Sequence, residues 1–75
     1  MEVLNVIEVI NNKVIKVKSF IIDDNKGKHP KVTEAEKLFT EMALENGARE
    51  DEIETHIEDG YYEGGAEYCV NLVWS

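Results

Sequence analysis

Residues 3–22 read VLNVIEVINNKVIKVKSFII, two Val/Ile-rich runs either side of Asn11-Asn12. β-Branched side chains favour strands, and asparagine tolerates the positive φ that both central residues of a type I′ turn require. The stretch therefore predicts an antiparallel β-hairpin. With a two-residue loop and regular pairing, Ile10 faces Lys13, Glu8 faces Ile15, Val6 faces Val17 and Leu4 faces Ser19. One sheet face then carries Leu4, Val6, Ile10, Ile15, Val17 and Ile21, with Glu8 and Ser19 as its polar members. The other carries Val3, Ile7, Val9, Val14, Phe20 and Ile22, broken by Asn5, Lys16 and Lys18. Side chains alternate with a period of two, so a shift of one residue would exchange the faces of a whole strand. Neither face is cleanly polar.

Working outward, Asp23–Val32 (DDNKGKHPKV) has the composition of a loop. Asp23, Asn25 and Glu34 fall at relative positions one, three and twelve of a calcium loop. However, Lys28 stands where the turn glycine is required and Pro30 interrupts the ligand run, so calcium is not expected. Thr33 and Glu36 form a T-x-x-E capping box. Ala35, Leu38, Phe39, Met42 and Ala43 then repeat at three and four, which predicts a helix that Asn46-Gly47 ends.

A second, shorter helix is predicted across AREDEIETHIEDG, with Ile53 and Ile57 on one face, acids at its N-terminal end and Gly60 as its stop. Tyr61 and Tyr62 should dock the chain as it leaves that helix. Gly64-Gly65 marks a turn, and Tyr68, Val70, Leu72 and Trp74 alternate with Cys69, Asn71 and Val73 as a last strand. If that strand packs beside the hairpin, the Tyr68–Trp74 series should face the helices.

The expected architecture is α+β, one domain over residues 1–75 in the order β-β-α-α-β. Two helices cover one face of a three-stranded sheet. The uncovered face leaves Val3, Ile7, Val9, Val14 and Phe20 as a self-interface, and a homodimer through that face, or by pairing of edge strands, is expected, because contiguous exposed apolar patches mark interfaces.

Seventy-five residues leave a marginal core, since chains this short bury only about 60% of their unfolded surface. The single cysteine, Cys69, rules out an internal disulfide framework. The start MEVLNVIEVINN lacks a basic n-region, and Asn5 and Glu8 interrupt its apolar run, so neither a signal peptide nor a membrane span is expected. A cytoplasmic location follows as the expectation.

The net charge of −8 is unevenly spread, +2 over residues 1–32 and −10 over residues 33–75. Phosphate repels such a chain, so direct nucleic-acid binding is disfavoured. Glu50, Asp51, Glu54, Glu58 and Asp59 should cover the outside of the second helix, with Glu45 and Glu63 at its margins. That surface suits a basic protein partner, and in the limit a mimic of the nucleic-acid backbone that blocks a DNA- or RNA-binding protein. The same charges also serve a small protein simply as a solubilising surface.

Chemistry-bearing residues are sparse. His29, His56 and Cys69 are too far apart in sequence for the ligand spacings of a structural zinc site. Glu52 and Asp59 flank His56 at helical spacing and would favour its imidazolium form. Cys69 has no neighbour in sequence to activate it, and Ser19 and Ser75 lack a nucleophile elbow. No glycine-rich phosphate loop precedes a helix. The sequence predicts a non-catalytic, cofactor-free protein-interaction or regulatory module.

Overall fold

The structure is a computed structural model that describes residues 2–23, 29–65 and 67–75. Strand β1 (Glu2–Ile10) and strand β2 (Lys13–Ile22) form the hairpin. Helix α1 (Pro30–Glu45), a 3-10 turn (Glu50–Glu52), helix α2 (Ile53–Asp59), strand β3 (Tyr61–Glu63) and strand β4 (Tyr68–Trp74) follow. The sheet is antiparallel throughout, in the order β2-β1-β4-β3. The class is α+β as expected, with four strands rather than three. Tyr61 and Tyr62 do more than dock the chain, because they pair with Asn71 and Val70 as a short edge strand.

Asn11 and Asn12 both sit in the left-handed region, at φ 53° and 64°, which gives the tight turn its hand. Beside the turn the expected register holds, with Ile10 opposite Lys13 and Val9 opposite Val14. Glu8 then pairs with Lys16, and Ile15 is the extra residue of a β-bulge.

Beyond the bulge every β2 side chain points to the face opposite the one predicted. Val6 faces Lys18 rather than Val17, and Leu4 faces Phe20 rather than Ser19. Phe20 therefore leaves the expected self-interface for the helix-covered side, where it packs against the core, and Ile22 is 1% exposed beside it. The gain is physical: regular pairing would have placed Ser19 in the core, and the bulge puts an aromatic ring there instead.

The core lies between the sheet and the helices. Leu4, Val6, Ile22, Tyr68, Val70 and Tyr62 come from the strands, and Ala35, Phe39, Met42, Ala43 and Ile53 from the helices. The Tyr68–Trp74 series shares this side as expected, although Trp74 at its end is half-exposed. Glu8 is an acid of the covered face, and the Tyr68 hydroxyl donates to its Oε2 at 2.5 Å. Burial first, and then this bond to Glu8, push the Tyr68 hydroxyl above the ordinary tyrosine range.

Helix α1 begins one turn before the predicted Thr33. His29 is its N-cap, with Nδ1 accepting from the Lys31 amide at 3.1 Å, and Pro30 opens the first turn. Proline has no N–H to leave unsatisfied there, and its φ is already helical. At the other end, Ala48 N–H bonds to the Ala43 carbonyl and Gly47 N–H to that of Leu44. This is a Schellman closure around Gly47, at φ 105°.

The Tyr62 hydroxyl donates to the Asn46 carbonyl at 3.1 Å and ties that corner to β3. Gly60 ends α2 at φ 69°, and a Cβ there would lie 2.7 Å from the Leu72 carbonyl oxygen. Glycine at 60 is required twice over, by conformation and by that close approach.

Candidate interaction surfaces

Antiparallel sheets with one open face usually alternate between apolar inward and polar outward side chains. This one does not. The face turned away from the helices carries Val3, Ile7 and Val9 from β1, Val14, Val17 and Ile21 from β2, Val73 from β4 and Tyr61 from β3. Val14, Ile15, Val17 and Ile21 are each more than half exposed, and Tyr61 and Val73 are exposed at 40% and 41%. Of the predicted self-interface, Val3, Ile7, Val9 and Val14 share this face, and Phe20 does not. Val17, Ile21, Val73 and Tyr61 belong to it and were missed, the first two because a bulge moved them.

Most polar residues of this face bond to one another, and Asn71, between Ile7 and Tyr61, donates through Nδ2 to Cys69 Sγ at 4.0 Å. The Ser19 hydroxyl donates to Asn5 Oδ1 at 2.6 Å. Asn5 Nδ2 donates to Ser75 Oγ at 3.0 Å and to the Val73 carbonyl at 3.3 Å. Three strands are thus linked through side chains in the middle of an apolar field. Charge enters at one corner, at Glu63 and Glu67, and Glu63 Oε2 accepts from the Tyr61 hydroxyl at 2.8 Å. That bond holds the Tyr61 hydroxyl above its ordinary range.

The helical layer on the other side is the electrical opposite. Residues 30–60 hold ten carboxylates against Lys31, Lys37 and Arg49. Glu50 and Asp51 stand on the 3-10 turn, Glu54, Glu58 and Asp59 on α2, and all five are exposed, as is Glu45 at the margin. Arg49 reaches Asp51 at 3.0 Å and Glu52 at 3.8 Å. The cations of the sheet, Lys13, Lys16 and Lys18, all lie on β2 at its far edge, with the Lys18 ammonium 5.9 Å from the Phe20 ring centre.

The residues weighed for chemistry are dispersed. His29 caps α1, with Nε2 3.6 Å from Asp23. His56 lies on α2, 4.0 Å from Glu52, and its ring meets the Tyr62 ring edge-on at 4.9 Å. Of the two acids expected to flank it, Glu52 is the one at ion-pair distance.

Cys69 is on β4, beside a surface depression of about 220 Å³ that Tyr61, Glu63, Glu67 and Tyr68 also line. Its described lining offers two carboxylates and no cation. Among the described residues no group of three or more His, Cys, Asp or Glu could hold a metal ion. Asn25 and Lys28 of the calcium-loop comparison lie outside the described residues. No helix among the described residues is long and apolar enough to cross a membrane. No protein family matches the chain, and no curated protein or solved structure is significantly similar to it.

Proposed function

We propose that this chain is a non-catalytic protein-interaction module working in the cytoplasm, and that the open face of its sheet is the surface through which it works. One observation carries the reading: a sheet face rich in exposed valine and isoleucine is uncovered by the helices in the folded chain. Contact with another protein would remove that face from water at about 25 cal/mol per Å² of apolar area.

The test is photo-crosslinking inside cells, with a benzophenone side chain at Val17 on the open face or at Glu58 on the helical layer. Discrete protein adducts at position 17 are expected. A bare chain at position 17 in growing cells would sink the proposal.

The segregation of carboxylates into the helical layer favours a second reading, a nucleic-acid mimic that occupies a basic groove. Such a partner would be held chiefly by charge, so its capture would weaken steeply with salt. Crosslinks confined to position 58, and lost in high salt, would move this reading to first place.

A further inference from the structure

We infer that the partner of the open face is a second copy of this chain, the two sheets stacking face to face about a two-fold axis into an α/β/β/α sandwich. This rests on the reading of that face as an interaction surface.

The first argument is charge. Val3, Ile7, Val9, Val17 and Ile21 form a field whose carboxylates, Glu63 and Glu67, stand together at one corner. Its complement must also be apolar and uncharged. The chain's own helical layer fails that requirement, because its carboxylates would lose their water against valine and isoleucine. The β2 edge fails as well: antiparallel pairing with a second β2 would bring Lys13, Lys16 and Lys18 of two copies together with no acid on either strand. The open face itself meets the requirement, and a patch that complements itself is what a two-fold dimer needs.

The second argument is that this face is ready to lose its water. Burying a polar side chain without a partner costs roughly 1–3 kcal/mol. Here Asn5 already bonds to Ser19 on β2 and to Ser75 just past β4, and Asn71 donates to Cys69 Sγ. Covering them leaves those bonds in place, and such a polar group at the centre of an apolar interface can also fix its register. The chain of bonds forms only because the bulge turns Ser19 outward opposite Asn5.

The third argument is size. Strands of nine, ten, three and seven residues, at about 3.3 Å per residue and about 4.8 Å apart, give one face a projected area near 450 Å². Two faces together give about 900 Å², and side-chain relief raises this towards the ~1,000 Å² that a specific interface requires. In the stacked pair the acidic layers lie on opposite outer surfaces. They are separated by the ~10 Å between sheets and by both sheet thicknesses, more than the ~8 Å Debye length of physiological salt. Dimerisation should therefore be insensitive to salt, and both acidic layers stay open.

The experiment is sedimentation equilibrium of the full chain from micromolar to near-millimolar concentration, at low and at molar salt. The expected result is a mass of twice 8.6 kDa, unchanged or better populated as salt rises. Val17→Lys should halve that mass with an unchanged circular dichroism spectrum. If Val17→Lys fails to fold, isotope-filtered NOEs in a mixture of labelled and unlabelled wild-type chains decide, with contacts between Val17 and Ile7 methyls of different copies expected.

A monomer at every concentration overturns the proposal, as does a dimer that dissolves in salt, one that survives Val17→Lys, or one without inter-copy contacts on this face. Position-17 adducts of a mass other than two chains, together with a monomer in the centrifuge, would remove the second copy and leave the interaction module standing. An absence of adducts alongside a monomer would remove both.

Discussion

The two faces of the sheet are built from nearly the same residues and end in different states. On the covered face, Leu4, Val6, Ile22 and Val70 are almost wholly excluded from water, and Glu8 is bonded to Tyr68. On the open face, Val14, Val17 and Ile21 keep more than half their surface exposed, and its polar groups bond sideways along the sheet. Apolar composition alone does not make a core. What separates the faces is whether a helix with a matching stripe lies on top, and α1 brings Ala35, Phe39, Met42 and Ala43 to one side only.

The comparison can be broken first at its centre. Phe39 is fully buried between α1 and the sheet, so Phe39→Ala should destabilise by about 3–5 kcal/mol. That is most of what a domain of this size has, and urea unfolding followed by tryptophan fluorescence would measure it.

Next comes the polar pair of the covered face. Tyr68→Phe leaves Glu8 without its donor and should cost about 1–3 kcal/mol. The same pair gives a pH dependence whose sign is settled by Tyr68. Its hydroxyl holds a proton more tightly folded than unfolded, so its contribution is complete below the ordinary tyrosine pKa of about 10 and is lost as pH rises beyond it. Urea midpoints should therefore fall above pH 10 in the wild type and fall less in Tyr68→Phe.

The smallest effect belongs to the open face. Val17→Lys should change the stability of the dilute, monomeric chain by no more than about 0.5 kcal/mol. A cost comparable to that of Phe39→Ala would mean the open face is as much a part of the monomer as the covered one.

Much of this was legible from local signals. Asn11-Asn12 marked the hairpin, Ala35 to Ala43 the helix stripe, Gly47 and Gly60 the helix ends, and the alternation from Tyr68 to Trp74 the last strand. Three features were not. The start of α1 moved forward because His29 supplied a cap through Nδ1, outside the usual set of capping side chains. Strand β3 was hidden because three residues hold no period, and β4 alone gives Tyr61–Glu63 its pairing. The bulge at Ile15 left no trace, since Val14 and Ile15 fit a strand equally well in either register.

That hidden feature also decides which half of the candidate surface could be read. Val3, Ile7, Val9 and Val14 lie on β1 or at the turn end of β2, where the regular count applies. Phe20, Val17 and Ile21 lie past the extra residue. The acidic positions Glu50, Asp51, Glu54, Glu58 and Asp59 were readable as exposed because charged side chains are almost never fully buried unless paired.

Ile15 thus works as a phase shifter in the strand. Everything in β2 after it is counted out of step with everything before it, and the parity of positions 16–22 depends on that one residue. Removing it would close the bulge and leave Lys16 opposite Glu8 and Phe20 opposite Leu4, whereas regular pairing at full length, with Ile15 opposite Glu8, would turn Phe20 and Ile22 outward and bring Val17, Ser19 and Ile21 in beneath α1. The strand therefore tolerates the loss of that residue better than it tolerates regular pairing at its full length. In this small fold, the extra residue is the device by which a strand of this length keeps Phe20 and Ile22 inward.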